Sequence, residues 1–296
     1  MPWETRNVRC MKKGISVWAF EPKRPLPEVF HLAKAAGFDG VEVAVADDGP
    51  ITPKSTEADC RRVREQAGEA GIALTSLASG LGWKYPILSP SASVRDEAIA
   101  KTRGSLDVAR SLGLDTILLV PGTVNADTPY DVAYRNAQSA LAELARYAES
   151  VGVTIGVENV WNKFLLSPLE MARFLDEIGS PFVAAYFDVG NVLLTGFPEQ
   201  WITILGSRIK RVHFKDFKRS VGTGAGFCPL TEGDTDWPAV LSALEQIGYR
   251  PGGLGDGWVT AEFFNCESEI TQISQGMDRI LGRGETKENQ RNQNYG

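Results

Sequence analysis

The sequence predicts a single (β/α)₈ barrel, and three observations support this fold class. Eight short runs rich in β-branched and apolar residues recur along the chain, separated by longer segments with helical periodicity. The length of 296 residues suits a barrel of roughly 250 residues with short extensions. No GxGxxG turn follows the first run, as it would in a doubly wound dinucleotide-binding sheet. Strands that alternate with helices in this way form parallel sheets.

The eight runs have the length and the composition of strands that are buried in a parallel sheet. In chain order they read GISVWAF from Gly14, GVEVAV from Gly40, IALTSL from Ile72, TILLV from Thr116, VTIGVE from Val153, VAAYFD from Val183, IKRVHFK from Ile209 and WVTAEFF from Trp258.

The segments between these strands carry the start and stop signals of helices. Ser167, Pro168 and Glu170 supply an N-cap residue, a first-turn proline and an acidic third residue for one helix. Six helices are predicted, and each is followed by a glycine, which accepts the left-handed conformation at a helix C-terminus. The helices begin near Val29, Ala58, Asp96, Tyr134, Ser167 and Asp236, and the glycines are Gly37, Gly71, Gly113, Gly152, Gly179 and Gly248.

One domain accounts for this whole pattern. We expect the barrel to span residues 1–283 and the polar segment 284–296 to form a tail that is disordered or crosses to a neighbouring subunit. The glycine-rich stretch GTGAG at residues 222–226 follows the seventh strand and lacks the lysine of a phosphate-binding P-loop. We interpret it as a mobile loop.

Charge and composition exclude several classes of partner. The formal net charge of −6 provides no basic field that would hold a nucleic acid. No stretch has the uninterrupted apolar length of a membrane span, and the N-terminal residues lack the apolar run of a signal peptide. The four cysteines form no CxxC pair and are expected to be reduced thiols. We therefore expect a cytoplasmic protein without nucleic-acid or membrane partners.

Four polar side chains end the last four predicted strands, where a barrel of this kind places its active site. Because three carboxylates that converge at buried strand ends would repel one another, a divalent cation is the simplest way to stabilise them. The four candidate metal ligands, in chain order, are Glu158, Asp188, His213 and Glu262.

The two histidines of the chain have different contexts. His31 lies early in a predicted helix and is interpreted as structural, whereas His213 lies within an apolar strand beside the strand-end acids. A donor set of three carboxylates and one imidazole is oxygen-rich, which suits hard cations better than it suits zinc. We expect one divalent ion, with Mn²⁺ preferred over Mg²⁺ or Co²⁺.

The order Glu, Asp, His, Glu at the ends of strands five to eight, together with the phrases GVEN, FDVGN and HFKD, resembles one known family. It is similar to the xylose-isomerase-like TIM barrel family of sugar phosphate isomerases and epimerases. The nearest types are the ketose 3-epimerases, which act on tagatose or allulose, or on L-xylulose 5-phosphate and hexulose phosphates. The resemblance covers the barrel from about Gly14 to Gly282.

This resemblance implies a reaction and roles for the two glutamates. Glu158 and Glu262 would be both metal ligands and the acid/base pair, and the metal would act as a Lewis acid on the ketose oxygens. One glutamate would remove the C3 proton to give a cis-enediolate, and the other would return a proton on the opposite face. Asp188 and His213 would anchor the metal.

Further candidates could contact the substrate, which would be a small sugar or sugar phosphate. Relatives commonly carry a histidine shortly after the sixth-strand aspartate, and this chain has an asparagine there, which can bind a hydroxyl but cannot supply a proton. The loop after strand seven is a common phosphate-binding region of barrels. The candidate substrate contacts are Asn191, Lys215, Arg219, Trp161 and Glu42.

Alternative functions stay open at the level of sequence. The same site could catalyse an aldose/ketose isomerisation or a dehydration like that of inosose dehydratases, since a shared fold does not decide the chemistry. A metal-bearing sugar-binding protein without catalysis is the non-enzyme alternative. An apurinic endonuclease would need more histidines than the two available. Relatives are often dimers or tetramers, so a homo-oligomer is expected.

Overall fold

A computed structural model describes residues 10–283, so the predicted tail at 284–296 lies outside the described part of the chain. Within it, eight parallel strands close into a barrel, which confirms the predicted fold class. A two-stranded antiparallel hairpin follows the seventh strand. The barrel strands are β1 Lys12–Ser16, β2 Gly40–Val45, β3 Ala73–Ser79, β4 Thr116–Leu119, β5 Thr154–Glu158, β6 Val183–Asp188, β7 Ile209–Phe214 and β10 Trp258–Ala261, and the hairpin strands are β8 Asp216–Phe217 and β9 Phe227–Cys228.

The order of the strands around the barrel follows the chain, and the first strand pairs with the last to close it. β1 lies between β2 and β10, and Lys12 of β1 is in register with Trp258 of β10. β5, β6, β7 and β10 are therefore consecutive neighbours. Because all eight strands are parallel, their carboxyl ends meet at one rim of the barrel.

Helices pack around the strands and include four that the sequence analysis did not predict. The bounds of the helices are α1 Leu26–Ala35, α2 Glu57–Glu69, α3 Leu81–Lys84, α4 Ala92–Ser111, α5 Tyr130–Val151, α6 Pro168–Ile178, α7 Val189–Val192, α8 Pro198–Leu205, α9 Trp237–Gln246 and α10 Ile270–Ile280. The additional four are α3, α7, α8 and α10. The described helices include none that is both long and apolar enough to cross a membrane.

The predicted helix signals are present in the structure. The hydroxyl of Ser167 accepts a hydrogen bond from the backbone N–H of Glu170 at 3.2 Å, as expected for the N-cap of α6. All six glycines named from the sequence have positive φ, between 64° and 89°. These left-handed glycines turn the chain from the end of a helix towards the next strand.

Gly82 in α3 offers a direct test of the packing at the rim. A Cβ at this position would lie 1.8 Å from the carbonyl oxygen of Val120. We expect Gly82→Ala to lower the free energy of unfolding by about 1–3 kcal/mol, because the backbone must move to accommodate the methyl group. Gly68→Ala in α2 is the control, because a Cβ at that position would meet nothing within 4 Å. This variant should raise the free energy of unfolding by about 0.5–1 kcal/mol. Chemical denaturation checks both, and equal stabilities of the two variants would contradict this packing.

Candidate active site

The four predicted ligands meet at the carboxyl rim of the barrel. Glu158 and Asp188 are the last residues of β5 and β6, His213 lies near the end of β7, and Glu262 directly follows β10. One candidate ligand atom from each residue lies within 4.8 Å of the others, and all four side chains are buried. We call Glu158, Asp188, His213 and Glu262 the rim cluster.

Strand register explains why these four residues converge. Asp188 of β6 is paired with His213 of β7, and His213 is paired with Thr260 of β10, two residues before Glu262. Side chains that are equivalent in register on adjacent strands point to the same face of a sheet. The cluster therefore follows directly from the parallel pairing of β5, β6, β7 and β10.

The facing atoms of the rim cluster lack well-oriented hydrogen bonds. His213 Nδ1 lies 3.7 Å from Glu158 Oε1, 3.9 Å from Asp188 Oδ2 and 3.4 Å from Glu262 Oε2. All four atoms are buried, and none makes a well-oriented hydrogen bond with the described part of the chain, although Asp188 Oδ2 and Glu262 Oε2 form ion pairs with Lys215. Because buried polar atoms are costly when unsatisfied, this arrangement calls for a ligand in their midst.

The pKa values of the cluster carboxyl groups also favour a bound ligand of positive charge. Burial, and then the charge of Glu262, raises the pKa of Glu158 to about 7. Burial also raises the pKa of Asp188 above its usual value. For Glu262 burial acts in the same direction, but the charges of Lys215 and His213 outweigh it and lower the pKa to about 2. The chain's own charges therefore do not favour full ionisation of the three carboxylates together.

Lys215 supplies the cationic side chain closest to the cluster carboxylates. Its ammonium group forms an ion pair with Glu262 and lies 3.1 Å from Asp188 Oδ2. Burial would lower the pKa of Lys215, but the charges of Asp188 and Glu262 raise it above its usual value. This lysine shows that positive charge is favoured beside the cluster.

These residues fit a divalent cation. Three carboxylate oxygens and one imidazole nitrogen form a compact set of candidate donor atoms, and such oxygen-rich sets suit hard metal ions such as Mg²⁺ and Mn²⁺. A cation would also offset the burial and the repulsion by Glu262 that raise the pKa of Glu158. The structure thus supports the metal-binding role that the sequence predicts for this cluster.

A cleft of about 390 Å³ opens above the cluster and has aromatic walls. Trp18 stacks on Phe264 with ring centroids 5.7 Å apart, and the ring centroids of Trp161 and Phe227 are 5.1 Å apart. The volume of this cleft lies within the range of small-molecule binding sites, which typically combine apolar walls with a few polar groups. Glu158, Glu262, Asn191 and Lys215 line its floor and sides. A second cleft of about 540 Å³ shares Lys215, Phe227, Glu262 and Phe264 with it.

Three of the five predicted substrate contacts line this cleft. They are Asn191, Lys215 and Trp161. The indole N–H of Trp161 donates to the carbonyl oxygen of Asn191 at 2.8 Å, and the amide of Asn191 donates to the carbonyl oxygen of Asn159 at 3.0 Å. Asn191 and Trp161 are thereby held against each other.

The other two predicted contacts lie elsewhere. Arg219 is exposed, stacks over the ring of Phe197 at 4.7 Å and donates to the carbonyl oxygen of Gly196. Glu42 is fully buried inside the barrel, with its Oε1 3.1 Å from His213 Nε2. Neither residue lines either of the two clefts.

Two structural partners of the site were not identified from the sequence. Asn159 and Asp188 exchange hydrogen bonds of 2.8 Å, in which the amide of Asn159 donates to the Asp188 carbonyl and accepts from the Asp188 N–H. Asp216 accepts hydrogen bonds from the Thr231 N–H and the Thr235 hydroxyl, which fixes the loop after β9. The phrases GVEN and HFKD contain both residues, but their partners lie far along the chain.

Fold and site together define the class of this protein: the chain belongs to the xylose isomerase-like TIM barrel family, whose sequence pattern matches residues 30–282. Among its relatives is the L-ribulose-5-phosphate 3-epimerase UlaE of Shigella flexneri serotype 5b, which is 25% identical over 291 residues, covering 92% of this chain and 96% of that protein.

Two solved structures share the fold. A D-tagatose 3-epimerase-like protein has a TM-score of 0.75 at 20% identity, covering 92% of this chain and 98% of the other. The 3-keto-D-glucoside 4-epimerase YcjR from E. coli has a TM-score of 0.74 at 17% identity, covering 92% of this chain and 99% of the other. At such identities the likeness establishes the fold alone.

Proposed function

We propose that this chain is a divalent-metal-dependent epimerase that inverts C3 of a ketose or ketose phosphate. The observation that carries the proposal is the pair of buried glutamates, Glu158 and Glu262, whose facing oxygens belong to one cluster at the floor of a sugar-sized cleft. The relationship to a named L-ribulose-5-phosphate 3-epimerase over almost the whole chain supports it. A cytoplasmic location and a homo-oligomeric state stay part of this proposal.

The two glutamates divide the proton transfer between them. They extend from β5 and from the end of β10, on either side of β6 and β7, so that a sugar carbon between them would have a carboxylate on each face. One glutamate takes the proton from C3 to leave a cis-enediolate, and the other donates a proton to the opposite face. Each turnover therefore exchanges the protonation states of the two glutamates.

Glu158, Asp188, His213 and Glu262 would hold the cation, for which Mn²⁺ is our first choice and Mg²⁺ or Co²⁺ the alternatives. The bound cation would supply Lewis acidity, which lowers the energy of negative charge on the substrate. Lys215 would assist by donating hydrogen bonds to substrate oxygens. Asp188 accepts a hydrogen bond of 2.7 Å from the Asn191 N–H, which fixes the carboxylate that anchors the cation.

Trp161, Asn191 and Arg219 would bind and orient the sugar. Trp161 would pack against its apolar face, and Asn191 would bind a hydroxyl, because both line the cleft. We propose Arg219 as the contact of a substrate phosphate. It would have to leave its present position over Phe197 to do so.

Deuterium incorporation from D₂O tests this function directly. The Mn²⁺-loaded protein is incubated with ketopentoses, ketohexoses and their phosphates, and the products are analysed by mass spectrometry and NMR. We expect one deuterium at C3 together with the C3 epimer, because the returning proton comes from a group that exchanges with solvent. Protein treated with EDTA serves as the control and should incorporate none.

The position of the label distinguishes the alternatives. Label at C1 or C2 with an aldose product would replace the proposal with aldose/ketose isomerisation. Label at C4 would indicate inversion at the neighbouring carbon. Loss of water from a cyclic polyol would indicate an inosose-type dehydratase, and binding of sugar without any exchange would indicate a non-catalytic sugar-binding protein.

A further inference from the structure

A buried carboxylate lies behind the histidine of the rim cluster and outside the clefts. Glu42 of β2 and His213 of β7 are both 0% exposed. The carboxylate oxygens of Glu42 lie 3.1 and 3.3 Å from His213 Nε2. The opposite ring nitrogen, Nδ1, faces the carboxylates of the cluster. The imidazole thus lies between Glu42 on one side and the candidate metal ligands on the other.

Two hydroxyl groups fix the carboxylate of Glu42. Ser76 donates to its Oε2 at 2.8 Å, and the hydroxyl of Tyr186 donates to the same oxygen. The Tyr186 and His213 rings also pack together, with centroids 4.5 Å apart. A carboxylate held in this way can only accept hydrogen bonds, so the nitrogen that faces it must carry a proton.

For a neutral imidazole, this requirement fixes the protonation of the other ring nitrogen, Nδ1. A neutral imidazole carries one N–H, and a proton on Nε2 leaves a lone pair on Nδ1. In the neutral ring that lone pair faces three carboxylate oxygens at 3.4 to 3.9 Å, which is favourable only when a cation lies between them; without the cation, Nδ1 would itself carry a proton.

We propose that Glu42 is a positioning residue: it holds the proton of His213 on Nε2 and so presents Nδ1 as the imidazole ligand of the metal. The inference rests on the proposed metal site and assigns Glu42 a role other than substrate contact. A partner of this kind fixes the tautomer and orientation of a ligating histidine and strengthens its bond to the metal.

Nuclear magnetic resonance of imidazole-labelled protein reads the tautomer directly. The chain has only two histidines, and His31 is a built-in reference because its Nδ1 lies 2.7 Å from the carbonyl oxygen of Pro27. In the Mg²⁺-loaded protein we expect His213 to carry its proton on Nε2, with slow exchange and a strong downfield shift. A proton on Nδ1 of His213 would overturn the proposal, and this result needs no variant.

Metal affinity supplies the second measurement. We expect Glu42→Gln to weaken Mn²⁺ binding about 10–100-fold, the usual effect of losing such a partner, and to remove the downfield shift. Glu170→Gln is the matched control, because Glu170 also accepts from a tyrosine, at 2.6 Å from the Tyr130 hydroxyl, but in the helical layer. This control should bind Mn²⁺ like the wild type.

Tyr186→Phe separates the carboxylate from the network around it. Glu42 keeps both carboxylate oxygens in this variant, so we expect the Nε2 proton to remain and the Mn²⁺ affinity to change less than about threefold. Wild-type affinity in folded Glu42→Gln would overturn the proposal. Because neither measurement uses a sugar, the proposal can fail while the epimerase function holds. A wild-type protein that binds no Mn²⁺ would overturn the metal site itself.

Discussion

Glutamine in place of Glu262 lowers the rate of C3 epimerisation by about 10²–10⁴-fold, the usual contribution of a general acid or base. We expect the same loss for Glu158→Gln, because each glutamate serves one face of the sugar. Initial rates with the ketose that the wild type epimerises check this, with metal content measured in parallel. Glu69→Gln, an exposed position of α2, is the control and should retain full activity.

Hydrogen exchange without inversion gives these two variants a sharper readout. A variant that keeps one functional glutamate can still remove the C3 proton from the epimer whose hydrogen faces that residue. We therefore expect Glu158→Gln to exchange C3 hydrogen with D₂O in one epimer and Glu262→Gln to exchange it in the other. Exchange of both epimers by both variants would contradict the assignment of one glutamate to each face.

Loss of the Asp188 carboxylate produces the second large effect. In Asp188→Asn the side-chain oxygen can still accept the hydrogen bond from the Asn191 N–H, which the Asp188 Oδ1 accepts at 2.7 Å. The amide nitrogen then takes the place of Oδ2, which faces the cluster, and removes one anionic ligand. We expect Mn²⁺ affinity to fall at least about 10-fold and activity to fall with it.

Metal analysis and add-back experiments check this second prediction. EDTA-treated wild type should lose its activity and regain it with Mn²⁺, whereas Asp188→Asn should recover only at much higher Mn²⁺ concentration. Asp176→Asn is the control: Asp176 pairs with Arg208 in the helical layer and should leave metal content unchanged. An Asp188→Asn protein with wild-type Mn²⁺ affinity would exclude Asp188 as a ligand.

The sequence predicts the barrel and the cluster residues because both depend on local pattern. Each barrel strand is a short apolar run, and each candidate ligand lies at or next to its end, as with Glu158 in VTIGVE. Parallel pairing then brings equivalent positions together without further information. The predicted ligands therefore converge in the structure even though 104 residues separate Glu158 from Glu262 in the chain.

Contacts across the barrel and along its rim are not predictable in this way. Glu42 and His213 are 171 residues apart and face each other only after closure, so their pairing has no local signature. Arg219 lies in an irregular segment, where no periodicity indicates the direction of the side chain. α8 is short, and α10 contains Gly276, which weakens its helical signal.

The closing strand pair links the cluster to the order in which the barrel assembles. Because Lys12 of β1 pairs with Trp258 of β10, closure joins distant parts of the chain and carries a large entropic cost. A sheet of β5, β6, β7 and β10 that has not closed would already contain all four rim-cluster residues. It would lack Glu42, the carboxylate beside His213 Nε2, until β2 joins the barrel. The closed barrel should therefore bind the cation more tightly than any open form, and by mass action the cation should favour closure.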